Sequence, residues 1–453
     1  MIGEKQAIAI LERALSLSPA SQTEALLIAH DSALTRFANS AIHQNVAERD
    51  AELRVRAVFG KPRGVGGHGT ARIGVATTNN LSDASIQKAV ESACNIARLQ
   101  AENPDFCSLP EPRPIASPSG FVERTASFSA EERAAAVAVI CRKSVEKGLT
   151  AAGAFSTDSS EIAVANSLGV RAYYPSTRAE LNTVIMSGSS SGYADYISKD
   201  VGEINAEALG DEAIAKAERG QNPILLEPGE YETVLEEYAV FDLLEYLGYL
   251  GFSGLAVQEG RSFMKLGQKI VGENISIWDD GYDPSGLPLP FDFEGVPKYR
   301  VDLIKAGVAN AVVYDSYTAT REGKSSTGHA LPAPNTQGPF PLNMFMQPGN
   351  STKEEMVKST KRGILVTRFW YTRPVDDLKV IVTGTTRDGT FLIEDGEVKQ
   401  PVRNLRFTTS YLDALSNTLA IGKATKLESS GFGASRVPAI KVAKFNFTGV
   451  TQY

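Results

Sequence analysis

Histidine is nearly missing. The 453 residues include four, His30, His43, His68 and His329, and no two lie within five residues of each other. That excludes a metal site built on a histidine pair of one helix, because such a pair needs ring nitrogens one turn apart on one face. Cysteine is almost as scarce. Cys94, Cys107 and Cys141 form no Cys-x-x-Cys pair and have no histidine close by. An odd, sparse thiol count makes no disulfide framework and fits a reducing cytoplasm. No stretch approaches about 18 uninterrupted apolar residues, so no membrane-spanning helix is expected. The opening MIGEKQAIAILERALSL carries acids and reads as an amphipathic helix, not as a signal peptide. Positive charge is in deficit too. With 46 Lys and Arg against 53 Asp and Glu, the net charge of −7 argues against nucleic acid as the main partner.

What is present is ordinary for a folded chain: 42% hydrophobic and 22% charged residues exclude disorder as the main state. At roughly 150 residues per domain, the length predicts two or three. A chain this long buries a core without disulfide staples.

Patterning predicts an α+β fold of two domains: a mixed α/β N-terminal domain over 1–220 and a mainly antiparallel β C-terminal domain over 221–453. In the first, helices are expected near 3–17, 83–101, 130–147 and 204–219. Ser129 and Glu132 form a capping box, with Gly148 and Gly220 as stops. Apolar runs stand at 26–30 (LLIAH) and 35–42, and the period-two stretch 52–59 (ELRVRAVF) predicts a half-buried strand. Short strands follow at 151–157, 161–167, 169–174 and 178–187. PEPRPIASP (110–118) reads as an extended linker, and SGSSSG (187–192) as a loop tip. The second half opens with an apolar strand at 224–226. A long helix is expected over 229–250, with shorter ones near 353–361 and 410–420. Strands are expected at 275–278, 309–314, 364–369, 379–383 and 390–393. RDGT (387–390) and EDGE (394–397) carry the Asp-Gly signature of tight hairpins. No internal repeat is evident.

Short motifs give little chemistry. GVGGHGTARIG (64–74) has neither the lysine of a phosphate loop nor the acidic residue of a dinucleotide site, so it reads as a Gly-rich link. TREGKSSTGHA (320–330) contains Gly323-Lys324-Ser325, but Thr318 stands where a P-loop needs its first glycine. GFSGLA (251–256) puts Leu255 where a nucleophile elbow needs glycine. Glu236 and Glu237 stand inside an apolar pattern, on the solvated edge of an amphipathic helix or on a helix in the place of a catalytic one.

Three longer blocks point to a family. LTRFANSAIHQNVAERDAELRVRAVFGKPRGVG (34–66), FDFEGVPKYRVDLIKAGVANAVVYDSYTATREGKSSTGHA (291–330) and GILVTRFWYTRPVDDLKVIVTGTTRDGTFLIEDGEVKQPVRNLRF (363–407) follow one another in the family's order. The chain resembles, over nearly its whole length, the TldD/PmbA family, also called modulators of DNA gyrase. The resemblance implies a two-domain α+β fold with a β-rich C-terminal domain, dimers, and a part in cytoplasmic proteolysis and peptide maturation. TldD-type members carry HExxxH and a Cys near the C-terminus, which hold zinc; TldE/PmbA-type members lack these ligands and pair with a TldD-type chain. PGEYETVLEEYAVF (228–241) aligns with the metal helix. Glu236 stands at the first His, Glu237 at the catalytic Glu and Phe241 at the second His, and no Cys follows Cys141.

Catalytic zinc needs about three protein ligands and an open position for water. No metal or other cofactor is therefore expected in this chain, and zinc only in a TldD-type partner. The favoured expectation is a cytoplasmic, non-catalytic TldE/PmbA-like subunit of a zinc metallopeptidase acting on unfolded or extended peptides. It would form a heterodimer with an HExxxH-bearing TldD-type subunit, or a homodimer, with neither nucleic acid nor membrane as partner. Two alternatives stay open. One is a metallopeptidase in its own right, with Glu236 or Glu237 joined by His329 or His43. The other is a homodimeric peptide-binding protein whose groove is lined by Gly323, Ser325, Ser326, Thr327 and His329, with strand addition to a sheet edge.

Overall fold

Alternation in the first half builds one antiparallel sheet. In the computed structural model, which describes residues 1–63, 69–431 and 433–451, its strands are β1 (Gln22–Ala38), β2 (Ala41–Phe59), β3 (Arg72–Thr78), β4 (Thr150–Asn166), β5 (Arg171–Met186) and β6 (Ser191–Ser198). They run in the order β3-β2-β1-β4-β5-β6. Most of the Gly-rich link, 64–68 with His68, lies outside the described residues.

The strands are longer than the sequence runs suggest. The run expected over 35–42 is cut by a turn at Asn39-Ser40, with φ of 51° and 58°. A type I′ hairpin turn needs positive φ at both central residues. Ser40 is held there without glycine: its N–H donates to the Ala151 carbonyl at 2.9 Å, and its hydroxyl accepts from Ala151 N–H at 3.0 Å. The strands expected at 151–157 and 161–167 are one strand, β4. Asp158, Ser159 and Ser160 resemble a turn but stay in the ladder between β1 and β5. Those expected at 169–174 and 178–187 likewise merge into β5.

Helices α1 (Glu4–Leu17), α2 (Asp83–Leu99), α3 (Glu123–Ala126), α4 (Ala130–Glu146) and α5 (Ala206–Arg219) belong to this half. Leu11 and Val90 of α1 and α2 pack on Leu27 and Val55, while Ile140 and Ile214 of α4 and α5 pack on Phe155 and Leu181. The other face carries Leu26, Val164 and Tyr174 against Phe291 of the second half. Burial on both faces explains why 26–30 reads as a continuous apolar run. The capping box at α4 forms as expected, with Ser129 Oγ accepting from Glu132 N–H at 3.2 Å and the Glu132 carboxylate accepting from Ser129 N–H at 2.7 Å. Gly148 follows with φ 70°.

Among the described residues, the second half has eleven strands: β7 (Gly229–Leu235), β8 (Ile277–Asp279), β9 (Val301–Lys305), β10 (Val308–Ala309), β11 (Asn343–Met346), β12 (Arg362–Asp376), β13 (Ile381–Glu394), β14 (Glu397–Pro401), β15 (Leu405–Ser410), β16 (Thr418–Ser430) and β17 (Gly433–Val450). Pairing runs β7-β12-β13-β15-β17 and back to β7, closing a ring. Only β7–β12 and β11–β17 are parallel among the described pairs. The α+β class therefore holds, with a mainly antiparallel second half. Phe369, Phe407 and Phe445 cluster in its core, with ring centroids 4.4 Å apart for Phe369–Phe407 and 5.4 Å for Phe369–Phe445.

Several expectations fail here for local reasons. Residues 229–235 are β7, and helix α6 (Glu237–Leu250) starts only after it. Tyr231, Thr233 and Val234 favour a strand, and β12 and β17 take up hydrogen bonds on both of its edges. Residues 224–226 make no strand, since Ile224 forms a single bridge to Val402. RDGT is no hairpin. Asp388 at φ 56° and Gly389 at φ 137° instead shift the register of β13 against β12 between Val366 and Arg368. EDGE does turn, with Asp395 and Gly396 at φ 51° and 78° between β13 and β14.

Candidate functional site

β7 delivers the chain to the acidic pair. The Glu236 N–H donates to the Val366 carbonyl at 3.0 Å, continuing the ladder, before the backbone turns into α6. Glu236 occupies the N-cap position, yet its side chain makes no cap hydrogen bond. Its carboxylate turns to two lysines. Lys216 Nζ, from α5, lies 2.9 Å from Glu236 Oε2 and 2.8 Å from Glu212 Oε1. Lys353 Nζ lies 3.7 Å from Glu236 Oε1 and 3.1 Å from Glu237 Oε2. Glu236 and Glu237 are 7% and 6% exposed, so neither is the solvated edge of a helix.

Electrostatics follow from that arrangement. Burial pushes the Glu236 carboxyl up, but Lys216 and Lys353 outweigh it and hold it below its ordinary value. Burial works against both ammonium groups, and the carboxylates around them more than offset it, raising Lys216 and Lys353. Tyr238 joins the cluster to the first sheet. Its hydroxyl donates to Glu212 at 3.2 Å and accepts from Asp195 N–H at 3.3 Å. Lys216 and Lys426 lie 4.9 Å and 4.8 Å from its ring centre. Lys426 is itself 2.9 Å from Asp195 Oδ1 and 3.5 Å from Glu428 Oε1.

Zinc does not fit these residues. A divalent ion shared by Glu236 and Glu237 would stand near the ammonium groups already there. At about 4 Å and an effective dielectric of about 20, its repulsion with one ammonium is about 8 kcal/mol. Phe241, further along α6, packs partly buried on the main core and offers no donor. Among the described residues no three His, Cys, Asp or Glu side chains gather as a metal cage. Cys94, Cys107 and Cys141 all belong to the first half.

The other named residues are placed elsewhere. His43 is on the exposed first part of β2, its Nδ1 3.5 Å from the Arg36 carbonyl. His329 is fully enclosed, with Nε2 2.8 Å from Asp279 Oδ1 and Nδ1 2.9 Å from the Thr327 hydroxyl. Burial and Lys298 push its ring below the ordinary value against the pull of Asp279. Neither histidine contacts the acidic pair, so the rearranged ligand set does not assemble. Nor does the expected groove. Gly323 and Ser325 are exposed while Ser326, Thr327 and His329 are buried. The hydroxyls of Ser326 and Thr327 donate to the Tyr314 carbonyl at 3.2 Å and 3.0 Å, fixing their own loop. Lys324 Nζ is 2.7 Å from the Tyr314 hydroxyl. Sequence reasoning missed Lys216, Lys353 and Tyr238, because only folding brings α5 and residue 353 to the head of α6.

Comparison with known proteins places the chain among metallopeptidase-type proteins. Residues 228–449 match the PmbA/TldA metallopeptidase C-terminal domain, 123–221 its central domain and 24–97 its domain 1. The chain belongs to the PmbA/TldA metallopeptidase family. It is 24% identical over 393 residues to "Metalloprotease PmbA" of Escherichia coli O157:H7, covering 82% of this chain and 83% of that one. It is 24% identical over 376 residues to "Metalloprotease PmbA homolog" of Haemophilus influenzae, covering 77% and 78%. The crystal structure of TldE from Thermococcus kodakarensis shares the fold, with a TM-score of 0.87 at 21% identity, over 98% of this chain and 100% of that one.

Proposed function

We propose that this chain is a non-catalytic, TldE/PmbA-like subunit that serves a zinc-bearing, HExxxH-carrying relative in handling unfolded or extended peptides. The observation that carries the reading is the pair of ammonium groups of Lys216 and Lys353 on Glu236 and Glu237. They supply internally the positive charge that a metal would bring, and Phe241 removes a donor. Glu237 keeps the side chain of a general base, but without a metal no bound water is acidified for it. The zinc belongs, in this reading, to a TldD-type partner in the cytoplasm.

Co-expression tests it. The chain alone should show no hydrolysis of an unfolded peptide. It should co-purify with an HExxxH-bearing relative from the same genome, and the mixture should cleave. Cleavage by this chain alone at the rate of the mixture overturns the proposal, as does the absence of any stable complex.

A further inference from the structure

A cavity of about 560 Å³ lies between the first sheet and the 294–335 region of the second half. Its walls divide by chemistry. Ile96, Phe106 and Pro334 give an apolar side, while Arg56, Glu294 and Asp315 give a charged one. Arg56 Nη2 lies 2.6 Å from Glu24 Oε2 and 3.1 Å from Glu294 Oε1, so one guanidinium serves two carboxylates and faces a third in Asp315. Cavities of this size with a few convergent polar groups are the usual form of small-ligand sites.

Two polar atoms there are unfinished. Asp315 is 9% exposed; its Oδ1 accepts from the Thr318 N–H at 2.7 Å and hydroxyl at 2.6 Å, whereas Oδ2 accepts no hydrogen bond among the described residues. Arg56 Nε–H is buried and has no acceptor. An open acceptor on an anion asks for a cationic donor, and a buried open donor asks for a carbonyl-type oxygen. One small fragment carries both: an α-ammonium next to a carbonyl. Charge points the same way. Burial and the neighbouring Glu294 carboxylate push Asp315 above its ordinary value, and burial drives Glu24 up to about 7. A bound cation relieves that crowding of negative charge.

We propose that this cavity binds the ammonium–carbonyl end of an amino-acid amide or a peptide with an apolar first side chain. The ammonium meets Asp315 and Glu294, the carbonyl oxygen meets Arg56, and the side chain lies against Ile96, Phe106 and Pro334. The assignment rests on the cavity and not on the partner subunit, so its failure leaves the proposed function standing.

Calorimetry on the full chain tests it with L-leucinamide, N-acetyl-L-leucinamide and the tripeptide amide Leu-Ala-Ala-NH2. Leucinamide should bind, and acetylation, which removes the cation, should weaken binding by about tenfold or more. Asp315→Asn keeps a good helix N-cap and should weaken leucinamide by a similar factor. Ile96→Trp, at the rim, should block binding without changing any charge. Tripeptide binding as tight as that of leucinamide assigns the site to peptide ends; loss with the tripeptide assigns it to free amino-acid derivatives. No binding at millimolar leucinamide, equal affinity for the acetylated form, or an unchanged affinity in folded Asp315→Asn overturns the proposal.

Discussion

The buried ion pair at the head of α6 gives the sharpest energetic test. Lys216→Met leaves Glu236, 7% exposed, with only Lys353 at 3.7 Å. Removing one partner of a buried pair costs about 3–5 kcal/mol, because the remaining charge is stranded in low dielectric. Lys353 still neutralises part of it, so the lower end, about 3 kcal/mol, is expected. Glu236→Gln leaves Lys216 with Glu212, and about 2 kcal/mol is expected. With both changes neither charge is stranded, so the double variant should lose less than the sum, with a coupling of about 2 kcal/mol. Urea midpoints and slopes of the four proteins give the cycle.

The pH dependence is also fixed in sign. Glu236 sits below its ordinary value, so its contribution is present at neutral pH and is lost as pH falls below about 4. Lys216 is raised, so its contribution is present at neutral pH and is lost as pH rises beyond about 10.4. The penalty for Lys216→Met should therefore shrink in acid. Additivity of the two single changes within about 0.5 kcal/mol, or a penalty that persists unchanged below pH of about 3, refutes the reasoning.

Burial drives the Asp242 carboxyl up to about 7, against hydroxyl hydrogen bonds from Tyr411 and Thr372. A raised carboxyl holds its proton more tightly in the folded chain, so stability falls as pH rises from about 4 through about 7 and then levels. Asp242→Asn should remove that slope and gain about 2–4 kcal/mol over the parent at alkaline pH; equal pH slopes contradict it. Phe407→Ala, in the aromatic cluster of the β ring, should cost about 3–5 kcal/mol in denaturant unfolding. Ser129→Ala should cost about 1 kcal/mol through loss of the α4 cap, while Glu131→Ala beside it should cost under about 0.5 kcal/mol.

Local signals were legible where the responsible groups are neighbours in sequence. Ser129 and Glu132 are three residues apart, and the Asp395-Gly396 turn is self-contained. Asn39-Ser40 was not legible, because the contact that holds Ser40 comes from Ala151, across the sheet. β7 reads as helix in the sequence because a strand of seven residues runs directly into a helix, and its apolar positions continue into α6. Its strand character depends on β12 and β17, far along the chain. The absence of histidine and cysteine at the aligned metal positions was plain in the sequence. What stands there instead was not, since Lys353 reaches Glu237 across 116 residues. His329 carried a ligand's chemistry in the sequence, and only Asp279 and Thr327 show that both its nitrogens are taken.

The most direct test of the central claim is the zinc content of this chain purified alone, loaded with excess zinc and then dialysed, with Glu236→Gln and Glu237→Gln variants alongside. With Lys216 and Lys353 already on the carboxylates, far less than one zinc per chain should remain, and the variants should match the parent. One zinc per chain, lost when either glutamate is changed, contradicts the account.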